Sequence, residues 1–482
     1  RVITTSSQEA QDFFNQGIQL KYAFAVNEAI SSFREAQLRD PDCAMCYWGE
    51  AWALGSYLNG HMRESKAPLA LAAIQKASEL SSEHANAVER ALIDAFQVRY
   101  IEDYVYDERR VQDSLFALAM EEVYNAFPDD QDVGTIYGEA LMLLKPRRGL
   151  HDLEDPEMIR IHEVLAGVLD ANIQHPGACH LYIHATESTT NPGLATGCAS
   201  YLGNTIPGAS HIQHMPSHTF NETGEWGKSV RASLQAWHTD QRAEDGSAFA
   251  IYPAHNLHML LYAASWDGQG AIAIQAGKDY AKRQDNNVHL ALTLLRFGRF
   301  DEILALEDRP DDIVAGSMWD FCHGYAKLKT GEPDIARVYM ERVQKTADTT
   351  EANFRFWKGA PILKVLAKIL EGEILWENGK ETAAIRAFER AVTLEDELPY
   401  SEPEHYPFAA RHWLGAALLE KGRYAHAEAV YRAEVDDHPH NGWSLYGLIA
   451  ALEAQSKPTD AEQMDFDDSW ARADVWLKGS RP

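Results

Sequence analysis

A unit of about 34 residues recurs along this chain, and no other feature limits its fold so tightly, because an array of like units buries its core between neighbours. With Ala10 as position 1, Gly17 falls at 8, Ala29 at 20, Phe33 at 24, Ala36 at 27 and Pro41 at 32. From Ser317, Gly324, Gly331 and Ala336 take positions 8, 15 and 20. From Val365, Gly372, Gly379, Ala384, Phe388 and Ala391 take 8, 15, 20, 24 and 27. From Phe408, Gly415, Gly422, Ala427, Tyr431 and Pro439 take 8, 15, 20, 24 and 32. Gly or Ala at 8 and 20 lets two helix backbones approach closely, and a large side chain at 24 fills the space beside them. Each helical hairpin then leaves an apolar face that the next hairpin covers.

This spacing resembles that of the tetratricopeptide repeat, and it predicts an all-α fold: a TPR-type α-solenoid of roughly ten helical hairpins, able to curl nearly into a ring. No segment alternates apolar and polar residues for long enough to suggest a sheet. Gln131 to Leu144 begins another repeat, with Pro128 before it, whereas residues 60–125 read as helical without a register. No Pro-rich or Gly/Ser-rich linker interrupts the chain, so residues 1–482 are expected to form one continuous superhelix. Its parts would be N-terminal repeats over 10–175, a His-rich block over 176–287 and C-terminal repeats over 288–482.

The His-rich block keeps the same frame. A repeat from Pro176 puts His180 at 5, His184 at 9 and Glu187 at 12. The next, from Ser210, puts His211 at 2, His214 at 5 and His218 at 9. After an insertion near Glu244 to Tyr252, a third from Ala254 puts His255 at 2 and His258 at 5, with Tyr262 at 9. Positions spaced by 3, 4 and 3 form one stripe on a helix, a quarter turn from the packing stripe. In the tetratricopeptide family that stripe faces the concave groove, so seven histidines and one glutamate are expected in one trough. Imidazole is the commonest metal ligand, and i, i+3 or i, i+4 spacing sets two on one face. The expected metal set is therefore His180, His184, Glu187, His211, His214, His218, His255 and His258, with Glu187 as a carboxylate ligand or a catalytic base. All-nitrogen surroundings favour copper, then iron or zinc, over calcium and magnesium.

Bland readings stand beside these. Any single groove histidine can be an ordinary polar residue, His218 or His258 can orient a ligand by hydrogen bond, and a trough of neutral imidazoles can hold a peptide. His151, His162, His405, His438 and His440 are expected at helix ends or loops, solvated. His175 precedes Pro176 and is expected to cap that helix or to support the cluster. Glu139 sits at position 9 of its repeat and could reach the trough. Trp48 and Trp52 could wall an apolar pocket, with core packing at least as good a reading.

Composition sets the remaining bounds. Hydrophobic residues make up 45% of the chain, enough to bury a core. Lys plus Arg is 44 against 72 Asp plus Glu, and the net charge of −28 argues against nucleic acid and anionic lipid as partners. No apolar run of membrane-spanning length is present. Cys43 and Cys46 form a C-x-x-C, and Cys179 and Cys198 fall in neighbouring predicted helices, leaving Cys322 over. Two such pairs lean towards a periplasmic or secreted protein, with the cytoplasm as the alternative. An Arg in first place is what a removed leader or a trimmed chain would leave. There is no P-loop, dinucleotide fingerprint, nucleophile elbow or H-E-x-x-H.

HPGACHLYIHATE (His175 to Glu187), GASHIQHMPSHTF (Gly208 to Phe220), YPAHNLHMLLYAA (Tyr252 to Ala264) and CAMCYWGEAWALG (Cys43 to Gly55) together resemble a family of bacterial tetratricopeptide-repeat proteins. That family carries a similar H-x-x-x-H, H-M-P-x-H and H-N-x-H series. The resemblance implies the fold and the place of the cluster, and no reaction. From the residues, the first expectation is a metalloenzyme that uses a copper or iron site to oxidise an organic substrate in the groove. The alternatives are a zinc hydrolase with Glu187 as base, and a non-enzymatic scaffold that binds a peptide or delivers metal.

Overall fold

The computed structural model describes residues 1–482, and helix follows helix along nearly all of them. The single sheet is a two-residue hairpin, Asn353–Phe354 against Trp357–Lys358. The fold is all-α and built of TPR-type helical hairpins. No helix is long and apolar enough to cross a membrane.

The chain divides into two compact units. Unit 1 holds Arg1–Thr219 and Gln235–Tyr252, and unit 2 holds Phe220–Leu234 and Pro253–Pro482. The expected 176–287 block is therefore shared between the two units.

In unit 1 the hairpins include Gln8–Tyr22 with Val26–Arg39, Ala44–Leu54 with Ala67–His84, and Gln131–Met142 with Pro156–Ala171. The region without a sequence register contributes the helices Ala67–His84, Ala87–Gln97 and Arg110–Ala126. Side-chain caps start several of these helices. Ser7 accepts from the Ala10 N–H, Asp130 from Val133, and Asn86 with Glu89 forms a reciprocal capping box. Phe33 shows why positions 8 and 24 recur. A Cβ on Gly17 would stand 2.6 Å from its ring, and a Cβ on Gly49 of the next hairpin 2.4 Å. The ring thus occupies room that only glycine leaves on both sides.

In unit 2 the hairpins include Pro253–Trp266 with Gly270–Gln284, Gly359–Glu377 with Glu381–Asp396, and Ala410–Glu420 with Tyr424–Asp437. The same packing recurs there. A Cβ on Gly372 would meet Phe388 at 2.3 Å, and Tyr431 lies against both Gly415 and Gly447. Each unit has its own apolar core. Unit 1 packs around Phe14, Phe33, Trp48, Trp52 and Leu165, and unit 2 around Phe321, Leu366, Phe388 and Trp413.

Cys43 is joined to Cys46 and Cys179 to Cys198, with Cα separations of 5.4 and 5.0 Å that suit a disulfide. The second bridge ties the Pro176–Thr186 helix, which carries His180 and His184, to the Thr196–Leu202 helix. Cys322 is a buried thiol, and burial pushes its pKa well up.

Candidate metal centre

Three short helical segments supply the cluster residues, all five of which lie in unit 1: Pro176–Thr186 with His180 and His184, Ser210–His214 with His211 and His214, and Pro216–Glu222 with His218. His175 opens the first of them, its Nδ1 accepting from the Ala178 N–H at 3.1 Å, while its Nε2 lies 3.4 Å from Asp132. The five downstream imidazoles are all almost fully buried, none more than 3% exposed.

The rings meet closely. His180 Nε2 lies 3.1 Å from His211 Nε2, and His211 Nδ1 lies 3.0 Å from His214 Nε2. One donor atom each of His180, His184 and His211 fits within a 4.8 Å span. His214 and His218 follow in edge contact at 4.9 Å between centroids, and His218 lies 5.6 Å from His184.

Backbone and carboxylate partners set the tautomers. His180 Nδ1 is 2.6 Å from the Tyr22 carbonyl, which only accepts, so Nδ1 carries the proton and Nε2 the lone pair when the ring is neutral. His184 Nδ1 is 2.9 Å from Glu187 Oε1. Arg147 Nη2 also lies 3.1 Å from that nitrogen, but a guanidinium only donates. The shorter contact, to a charged acceptor, therefore places the Nδ1 proton towards Glu187. Glu187 Oε2 lies 2.6 Å from His218 Nδ1, and Arg147 Nη1 lies 3.2 Å from Oε1. Burial would raise the Glu187 pKa, but His218 and the Arg147 guanidinium outweigh it and hold the group below its usual value. It is a carboxylate that grips two rings of the cluster. Burial drops His180 to about 3, against the Tyr22 carbonyl that favours the charged form. A neutral imidazole is the form that binds metal.

A small cavity beside His180 is lined by Lys21, Tyr22, Phe24, Trp52 and Glu139. Glu139 thus reaches the neighbourhood of the cluster, with Lys21 Nζ at 3.5 Å and Trp52 Nε1 at 3.4 Å from its oxygens. Trp48 and Trp52 are core residues, each 1% exposed, and Trp52 also walls this cavity.

His255 and His258 belong to unit 2, on the Pro253–Trp266 helix. His258 packs on His289 at 3.9 Å between centroids, with Tyr280 at 6.1 Å. Burial first, then the neighbouring His289 ring and the Arg355 guanidinium, drive the His258 pKa well down.

Two expectations of solvated histidines are corrected. His405 is 3% exposed and neither ring nitrogen has a hydrogen-bond partner. His438 is 7% exposed, lies between Glu404 at 3.1 Å and Glu434 at 2.8 Å, and stacks on Trp266. Burial lowers the His438 pKa, but those two carboxylates raise it further, so it ends well above the usual value. His405 and Glu404 lie in the stretch before the repeat that starts at Phe408, and Glu404 is the residue of that stretch that meets His438. His162, expected at a helix end, lies inside Pro156–Ala171. Arg147 had no sequence signal. It sits in an irregular stretch between helices and reaches the cluster through the length of its side chain.

No protein-family model matches the chain, and no curated protein matches it. Among solved structures, it is similar to the human IFIT1 dimer with m7Gppp-AAAA, at 11% identity over 97% of this chain and 95% of that one, with a TM-score of 0.36. It is also similar to yeast Tom70, at 11% identity over 97% and 92%, with a TM-score of 0.31. The P58(IPK) TPR domain matches at 14% identity over 93% and 98%, with a TM-score of 0.22. Matches this distant carry no argument about chemistry or partners.

Proposed function

We propose that unit 1 binds one transition-metal ion through the Nε2 atoms of His180, His184 and His211, and that the protein is a metal-dependent oxidoreductase. The observation that carries this is the 3.1 Å separation of His180 Nε2 and His211 Nε2 inside the three-donor group. Two imidazole nitrogens on one ion, each about 2.0–2.1 Å away, stand about 2.9 Å apart at a right angle and about 3.4 Å apart at a tetrahedral one. The partners of the outer nitrogens support the same reading. His180 Nδ1–H donates to the Tyr22 carbonyl and His184 Nδ1–H to Glu187, and with a metal on its Nε2 the His211 ring would carry its proton on Nδ1 and donate it to His214 Nε2. Metal-binding histidines characteristically donate their second N–H to such acceptors, which fixes the ring and raises its basicity.

An all-imidazole donor set favours copper, with iron and zinc next. Bound copper or iron would supply one-electron chemistry for oxidising an organic substrate with dioxygen or peroxide. In this reading Glu187 orients His184 and His218, and His214 supports His211. A hydrolytic zinc site would need Glu187 as a base, but Arg147, His184 and His218 already occupy both its oxygens. Helical-repeat folds are binding scaffolds, so a non-catalytic role in metal delivery is the reading to which a metal-bound but inactive protein would point. The two disulfides favour an oxidising compartment, the periplasm or the exterior.

The test is metal analysis and copper titration of the untagged, full-length chain, beside His180→Ala and His211→Ala. About one equivalent in the parent and less than a tenth in either variant is expected. Parent protein that takes up no transition metal would end this reading.

A further inference from the structure

The turn that closes the first helix of a repeat places position 15 in the left-handed region. Gly224, Gly268, Gly331, Gly379 and Gly422 occupy it in five repeats, with φ between 69° and 87°. In the repeat from Ala10 the residue at that position is Phe24, at φ 59°. The turn is otherwise the same. The Phe24 N–H donates to Lys21 O at 3.0 Å and Ala25 to Leu20 O at 2.9 Å, just as Gly379 donates to Trp376 O and Lys380 to Leu375 O, both at 2.9 Å. Glycine satisfies this turn without a Cβ penalty, whereas a bulky residue there costs about 1 kcal/mol or more. The turn therefore does not explain the phenylalanine.

The histidine cluster does. The Phe24 ring lies 4.2 Å from His180, 5.5 Å from His211 and 6.3 Å from His184, stacked on the last two. A second bulky left-handed residue, Tyr252 at φ 55°, ends the 244–252 insertion and meets His211 edge-on at 5.1 Å. Its hydroxyl lies 3.0 Å from that of Tyr57, whose ring packs 4.9 Å from Phe24. Two of the six non-glycine residues with positive φ thus flank one set of three imidazoles, from segments far apart in sequence. Strained backbone of this kind persists only where the surrounding structure over-determines it, and it clusters at functional sites.

We infer that Phe24 and Tyr252 are positioning residues that enclose the His180–His184–His211 centre, excluding water and limiting entry to small molecules. This rests on the metal reading for its purpose, but the enclosure can be read without metal. The experiment compares the parent with Phe24→Gly, Phe24→Tyr and Tyr252→Gly in the full-length chain. In metal-stripped protein, carbethoxylation of each histidine by diethyl pyrocarbonate is followed by peptide mass spectrometry. Copper is then titrated, and its paramagnetic resonance spectrum and rate of removal by a bulky chelator are recorded. Phe24→Gly and Tyr252→Gly are expected to keep the helical circular dichroism of the parent. They should label His180 and His211 at least ten times faster, and lose copper at least ten times faster with an altered spectrum. Phe24→Tyr, which keeps a ring, should behave as the parent does. Should Phe24→Gly not fold, Tyr252→Gly decides alone. Folded glycine variants with parental labelling overturn the enclosure, whether or not the parent binds copper. A parent that binds no copper while the glycine variants label faster overturns only the metal reading.

Discussion

Glu187 is the residue on which the geometry of the centre depends most, because one carboxylate holds His184 on one oxygen and His218 on the other. Glu187→Gln keeps the shape but removes the charge that fixes both tautomers. Loss of a partner of this kind is expected to weaken metal binding by about 10–100-fold while the fold survives, as isothermal titration and circular dichroism would measure. Protonation at other buried histidines gives a pH prediction with a definite sign. Burial holds His289 at about 3, and His405 and His323 at about 4. Each remains neutral in the fold, whereas the unfolded chain takes up a proton near pH 6.5. Stability is thus complete above about 6.5 and is lost as pH falls from there towards those lower values. His438 has the opposite sign: raised in the fold by Glu404 and Glu434, it gives stability that is full below its unfolded pKa and is lost as pH rises through the folded one. Melting temperatures of metal-free protein from pH 4 to 10 should fall on both sides. His438→Gln should flatten the alkaline side, and an unchanged alkaline side would refute the assignment.

At the scale of the helical element, glycine positions make contrasting predictions. A methyl at Gly372 would press into Phe388 at 2.3 Å, so Gly372→Ala should cost about 1–3 kcal/mol. Gly167 is an exposed mid-helix residue with nothing within 4 Å of its Cβ site, so Gly167→Ala should add about 0.5–1 kcal/mol. Urea denaturation of the two variants checks both signs. These same positions explain what the sequence disclosed. The pairing of Gly17 with Phe33, and of Gly372 with Phe388, lies within one hairpin, so its spacing shows in the primary structure. The stripe of His180, His184, His211, His214 and His218 was visible for the same reason, since helical periodicity and the repeat frame together put them at matching positions of successive repeats. Arg147, the Tyr22 carbonyl and the burial of His405 and His438 were not visible. Arg147 and His405 lie in irregular stretches, and Tyr22 and His438 at helix ends, where tertiary packing rather than a period decides what each group meets. The meaning of Phe24 also needed the structure, because only the rings against it distinguish an enclosing residue from a poor turn residue.

For the whole molecule, the net charge of −28 and the disulfides are the features that act globally. A strongly negative chain attracts cations, so the rate of copper uptake should fall by several-fold between low salt and about 0.5 M salt, as screening shortens the field. Stopped-flow measurement would show it, and a salt-independent rate would count against it. Reduction of Cys179–Cys198, which ties the helix bearing His180 and His184 to the Thr196–Leu202 helix, should lower stability by about 2–4 kcal/mol. It should also weaken metal binding, whereas Cys43→Ser with Cys46→Ser should affect stability alone. The most direct measurement of the central claim is copper content and affinity for the parent, His184→Ala, His211→Ala and the double variant, at matched folding by circular dichroism. A single three-histidine centre predicts about one copper in the parent, nearly complete loss in each single variant, and no further loss in the double. Independent, additive losses, or full retention of copper in the double variant, would contradict it.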